Sequence, residues 1–183
     1  TYRELNETSN QGAHLFRSLG LGLGGNIAIY MENNPAYLQI CWAAHRAGLY
    51  YTCVSSHLTA EEVAFIVGDC GATVFITSEA MAEVAGEVTP LMPGVETYLM
   101  VSHASAGYQS YDAEIAKFPT APIADEYEGS DMLYSSGTTG RPKGIKIPLN
   151  GEPLGTQRSP IDVLGTVYGA SETSIYLSPA PLY

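Results

Sequence analysis

The sequence predicts an α/β fold, a mostly parallel sheet flanked by helices, and two observations carry that expectation. Short apolar, β-prone runs alternate with helix-patterned stretches four times before Val101. Strands of that kind with helices between them belong to a parallel sheet covered on both faces. The chain has 183 residues, 45% hydrophobic and 15% charged, which places it among globular chains and away from disorder.

Leu5, His14-Leu15-Phe16 and Leu19 fit a helical period, and Gly20 follows as a stop. The chain thus reads as starting inside a helix at Thr1-Tyr2-Arg3-Glu4-Leu5. Asn26 to Tyr30 (NIAIY) reads as a buried strand. Pro35 opens a second helix that ends at Gly48, and Leu49 to Val54 is the next strand. Thr59-Ala60-Glu61-Glu62 has capping-box spacing, and the helix it starts runs to about Asp69 with Gly71 as terminator. Thr73 to Thr77 (TVFIT) is a strand, Ala80 to Leu91 a weaker helix stopped by Pro93-Gly94, and Tyr98 to Val101 a fourth strand. Beyond it, Ala104 to Tyr111 reads as a loop, Tyr111 to Phe118 as a short helix and the acidic Pro119 to Gly129 stretch as a surface connection.

The net charge is −11, from 19 acidic and 8 basic residues. That balance argues against non-specific binding to nucleic acid or anionic membrane, which need clustered Lys and Arg. It leaves room for a small anion held by a local loop. Cys41, Cys53 and Cys70 have no CxxC spacing and read as buried reduced thiols of a cytoplasmic protein. His14, His45, His57 and His103 are scattered and read as structural or exposed, so no metal site is expected. No cationic leader is visible, and no apolar run reaches the roughly 20 residues of a membrane span.

Asp131 to Tyr134 reads as a strand that enters Ser135-Ser136-Gly137-Thr138-Thr139-Gly140-Arg141-Pro142-Lys143-Gly144, after which Ile145-Lys146-Ile147 is again β-like. The loop gathers four hydroxyls, three glycines, one Arg and one Lys. Glycines let backbone N–H groups approach an anion, hydroxyls add donors, and a lysine supplies compact charge. Pro142 restricts where Lys143 points. A solvated hairpin would explain any few of these residues but not the whole run. A Walker loop is disfavoured: from Gly137, the second glycine position holds Pro142, Lys143 precedes Gly144 and not a hydroxyl, and a strand follows where a helix is needed.

Ser135 to Gly144 resembles the signature phosphate loop of the adenylate-forming superfamily, which includes acyl-CoA synthetases, peptide-synthetase adenylation domains and beetle luciferases. Thr1 to Leu5, Trp42 to Tyr51, Leu58 to Ala72 and Leu177 to Tyr183 are similar to further segments of that family, so the resemblance covers nearly the whole chain. Ser56-His57-Leu58-Thr59 leans toward acyl-CoA synthetases. The resemblance implies that the chain is the N-terminal portion of the large domain, residues 1–183, without the remainder or the small lid domain. It implies ATP, Mg2+ and coenzyme A as reactants and companions, and a small carboxylic acid, a fatty acid foremost, as substrate. Ser135, Ser136, Gly137, Thr138, Thr139, Gly140, Lys143 and Gly144 would then hold the outer phosphates, in a loop mobile without nucleotide. The catalytic lysine of the lid is unassigned, and a fragment of this extent is expected to be inactive alone. A non-catalytic nucleotide-binding module, another adenylate-forming ligase and a kinase with a convergent loop remain as alternatives.

Two further patterns carry less. Tyr168-Gly169-Ala170-Ser171-Glu172-Thr173 resembles the family's tyrosine-glycine-x-threonine-glutamate motif but follows the phosphate loop too soon, so Glu172 is not taken as a magnesium ligand. Gly20 to Gly25 fits G-x-G-x-x-G with a helix before and a strand after, the reverse of a dinucleotide fingerprint, and reads as a turn.

Overall fold

A computed structural model describes residues 1–105, 107–135, 141–156, 165–169, 171, 173–175, 177 and 182. Helix α1 spans Tyr2–Ser18. Thr1 is its N-cap, in a reciprocal capping box with Glu4, so Thr1 stands before the helix and not within it. Strand β1 (Asn26–Tyr30), helix α2 (Pro35–Arg46), strand β2 (Tyr50–Val54), helix α3 (Ala60–Cys70) and strand β3 (Val74–Ser78) follow in the alternation expected. Asn34 caps α2 by accepting the amide of Ala36, and Pro35 occupies the first turn, where its missing N–H costs nothing. Thr59 and Glu62 close the capping box of α3, and Gly71 ends it at φ +68°.

The expected helix from Ala80 to Leu91 is divided. A 3-10 turn at Glu79–Met81 leads into α4 (Ala82–Val88), and a second turn at Thr89–Leu91 contains Pro90, which has no N–H to continue an α-helical ladder. Strand β4 is Thr97–Val101. The loop expected over Ala104 to Tyr111 holds a two-residue strand β5, Gln109–Ser110, too short for any periodicity to register. Helix α5 is Tyr111–Ile115 and stops short of Phe118. Strands β6 (Ser130–Ser135) and β7 (Lys143–Lys146) flank the glycine-rich segment.

The strand order is β5-β4-β3-β1-β2-β6-β7. Every pairing is parallel except the β6–β7 hairpin. Alternation along the strands divides the core. Ile27 and Ile29 of β1 face α1, α2 and α5, among Phe16, Tyr37, Ile40 and Tyr111. Ala28 and Tyr30 face α3 and α4, among Val63, Val67, Phe75 and Val88. Both sheet faces are therefore sealed by helices, as period-2 strands in a parallel sheet require.

The acidic connection is only partly a surface strap. Ile123 is buried, Tyr127 bridges to Ala47, and the Gly129 amide donates to the His45 carbonyl at 2.7 Å. Two side-chain contacts fix it: His45 Nε2 lies 2.7 Å from Glu128, and the Arg46 guanidinium, nearly buried, pairs with Glu126 at 3.4 Å. A Cβ on Gly129 would stand 2.4 Å from the Leu49 carbonyl oxygen, so only glycine lets the strap reach β6 here. Of the three free thiols only Cys70 is buried. Cys41 and Cys53 are partly exposed, and a hydrogen bond between them pushes the Cys41 pKa up and draws that of Cys53 down.

Candidate functional site

Strand β6 lies beside β2, with Tyr51 opposite Asp131, and carries the chain along the sheet to Ser135. Strand β7 returns antiparallel, so the strand–loop–strand context expected for the glycine-rich run holds. The ladder sets Leu133 opposite Ile145, Tyr134 opposite Gly144 and Ser135 opposite Lys143. Ser135 and Lys143 are thus brought together as a cross-strand pair where the arms open, and both are exposed. Ser136, Gly137, Thr138, Thr139 and Gly140 lie outside the described residues, as does Glu172.

Three of the chain's eight basic residues, Arg141, Lys143 and Lys146, fall on the returning arm, which makes a local positive patch on an acidic protein. Two have partners. Arg141 lies over the ring of Phe65 in α3, 4.9 Å from its centroid. Lys146 lies 4.3 Å from the Tyr50 ring centroid, with Asn26 Oδ1 at 3.5 Å. Lys143 makes no hydrogen bond or ion pair with the described residues, and it stands opposite Ser135 in the ladder. Gly144 is closely packed: a Cβ there would meet the end of Met132 at 2.6 Å and the Tyr134 ring at 2.8 Å, so those side chains would have to shift. Its bareness lets Tyr134 lie across the hairpin. Tyr134 donates its hydroxyl to Asp69 at 2.5 Å, and burial, with that bond, pushes its pKa up, so it stays a neutral donor. Beyond β7, the Tyr50 hydroxyl donates to the Ile147 carbonyl at 2.6 Å and accepts from the Leu149 amide, which anchors the hairpin's exit to β2.

Residues 1–183 match the sequence profile of the family described as AMP-binding enzyme. The chain belongs to that family. Relatives of this AMP-binding chain include crotonobetaine/carnitine–CoA ligase of Proteus mirabilis, 27% identical over 161 residues that make up 80% of this chain and 30% of the relative. Long-chain fatty acid transport protein 1 of Mus musculus is 30% identical over 160 residues, 80% of this chain and 24% of the relative. Acetate–CoA ligase CCL3 of Humulus lupulus is 23% identical in an alignment 205 positions long that covers 100% of this chain and 35% of the relative. The AMP-binding chain therefore spans between about a quarter and a third of the length of these relatives. Among solved structures, the anthranilate CoA ligase AuaEII in complex with anthranoyl-AMP superposes with a TM-score of 0.73 at 24% identity, covering 79% of this chain and 29% of that one. A fatty acyl CoA synthetase of Mycobacterium tuberculosis superposes with 0.67 at 23% identity, over 79% and 28%. These superpositions establish the fold of the AMP-binding chain.

A second concavity opens where β1, β3 and β4 end. Strands β1 and β3 are neighbours from which the chain winds in opposite directions, the crevice where open α/β sheets place ligands. It is an open depression of about 660 Å³ lined by Glu32, Asn34, Gln39, Ser78, Ser102 and Asp112, among others. Burial opposes ionisation of Glu32, but hydrogen bonds from Ser78, Asn34 and the backbone outweigh it and hold the carboxyl below its usual pKa. Nothing in the sequence pattern singled out this crevice, because its lining comes from four separate segments. Among the described residues no group of three or more His, Cys, Asp or Glu side chains could hold a metal ion, and no helix is long and apolar enough to cross a membrane.

Proposed function

We propose that this chain supplies the phosphate grip of an ATP-dependent ligase that joins a carboxylic acid to coenzyme A through an acyl-adenylate. The observation that carries the reading is the hairpin itself: Ser135 and Lys143 are exposed ladder partners at the two ends of the hydroxyl-rich run. That donor set suits the outer phosphates of ATP. In the first step a carboxylate oxygen attacks the α-phosphorus, and the bond from it to the bridging oxygen of the β-phosphate breaks, releasing pyrophosphate. In the second, the CoA sulfur attacks the acyl carbon and AMP leaves. Lys143 would offset charge on the leaving pyrophosphate, while Ser135, Ser136, Thr138 and Thr139 hold its oxygens and Gly137 and Gly140 let the backbone approach. Such chemistry depends mainly on positioning and charge neutralisation. Mg2+ would accompany ATP, with no ligand assigned in this chain.

We assign residues 1–183 to the N-terminal portion of the AMP-binding domain of a longer, cytoplasmic enzyme, unable to turn over alone. The names of the relatives, which include acetate, carnitine and long-chain fatty acid, support a carboxylic acid substrate, and a fatty acid is the first to try. The test is pyrophosphate release by the protein that carries this chain, with ATP, CoA and a panel of acids. Lys143→Ala is expected to slow release by about 10²- to 10³-fold, the scale for losing one charge-stabilising donor. No release with any acid, ADP in place of pyrophosphate, or full activity of a Lys143→Ala/Thr138→Ala protein would overturn the proposal.

A further inference from the structure

Phe65 and Asp69 stand one turn apart on α3, so their side chains share a face of that helix. Each engages a different arm of the hairpin. Asp69 accepts the hydroxyl of Tyr134 from the outgoing arm, and Phe65 carries the guanidinium of Arg141 at the start of the returning arm. The β6–β7 ladder already pairs the two strands, so these side-chain contacts are not needed to form the hairpin. They fix it to a helix belonging to the sheet's sealed part. The absent side chain at Gly144 leaves room for the Tyr134 ring, whose far end lies 2.8 Å from where a Cβ would stand.

We propose that α3 is a two-point seat for the phosphate-binding hairpin, with Phe65 and Asp69 as positioning residues that set its affinity for ATP. The inference rests on the phosphate-loop reading above. Residues 136–140 connect the two seated points, so the seat fixes where that segment begins and ends. Without it, the arms must be ordered when ATP binds, and that entropy is subtracted from the binding free energy. Neither Phe65 nor Asp69 touches the outer phosphates in this arrangement; each acts through Arg141 or Tyr134.

The experiment uses the protein that carries this chain and MgATP as the varied substrate. Phe65→Leu, Asp69→Asn and Tyr134→Phe are each expected to raise the KM for ATP about three- to tenfold, the scale of one exposed cation–π contact or one charged hydrogen bond. The kcat at saturating ATP, the KM values for acid and CoA, and the melting temperature should stay near those of the parent. Phe65→Tyr keeps an aromatic face under Arg141 and should restore the parental KM. Asp69→Asn combined with Tyr134→Phe should cost no more than either alone, because the two form one contact. An unchanged KM for ATP in all three single variants, or equal rises for ATP, acid and CoA, would overturn the seat. If Lys143→Ala abolishes pyrophosphate release while the α3 variants leave the KM for ATP unchanged, the seat fails and the phosphate-grip reading stands. If Lys143→Ala has no effect either, both fall.

Discussion

Strands β1 and β6 run parallel in one sheet, separated only by β2, yet they are built for different ends. Ile27 through Tyr30 of β1 are all fully buried, clamped between α1 and α2 on one side and α3 on the other. In β6 only Met132 is buried; Leu133 is 51% exposed, and its cross-strand partner Ile145 58%. The first strand is written for packing on both faces. The second keeps one face against α3 and leaves the other bare, with hydroxyls and cations at its tip. On the proposed phosphate-grip reading, β6 gives up core-forming residues because donors and charge must stand where the anion arrives.

That contrast can be broken by substitution, beginning with the largest effect. Ile29→Ala in this chain is expected to cost about 2–5 kcal/mol, whereas Leu133→Ala should stay within about 0.5 kcal/mol. Urea denaturation of the two variants compares them directly, and equal losses would refute the difference between the strands. Gly129→Ala is next. It drives a methyl group into two backbone carbonyls, so a loss of about 1–3 kcal/mol is expected, with weakened amide protection in β6 by hydrogen exchange. Protection lost evenly over the sheet would argue against a local seam between strap and β6. The smallest change belongs to Glu32→Gln. The Glu32 pKa is lowered in the folded chain, so its stabilising contribution is complete above the unfolded carboxylate value and fades as pH falls through the folded one. Stability against pH should therefore show a shallower acid limb in the variant, with the two curves meeting at low pH. A gap that widens on acidification would contradict that sign.

Much of the covered half was legible in the sequence because its signals are local. NIAIY and TVFIT announce buried strands, Pro35 opens a helix, Thr59 with Glu62 starts another, and Gly71 ends it. The family resemblance was carried by the loop run, and the fold and family followed. What escaped depends on neighbours that no spacing reveals. Strand β5 is two residues long, and its existence depends on the edge of β4 beside it. His45 reads from the sequence only as structural or exposed and Arg46 gives no signal, whereas the strap places Glu128 and Glu126 against them. At the candidate site, Ser135, Lys143 and Gly144 could be chosen from the sequence. Arg141 was only counted among the loop residues, and Phe65, Asp69 and Tyr134 gave no signal, because the meeting of α3 with the hairpin follows from β6 joining the sheet beside β2.

That joining also bears on the order of assembly. Tyr50 and Ser130 become ladder partners only after the chain has laid down α3, β3, α4, β4, β5 and α5 between them. Closing so long a span loses chain entropy before the new pairing returns any stabilisation, which makes it a late event. The β6–β7 hairpin is thus added to a sheet whose other parallel strands have already been woven. A nascent chain would acquire this hairpin after those strands, when the surrounding scaffold is sound enough to hold it.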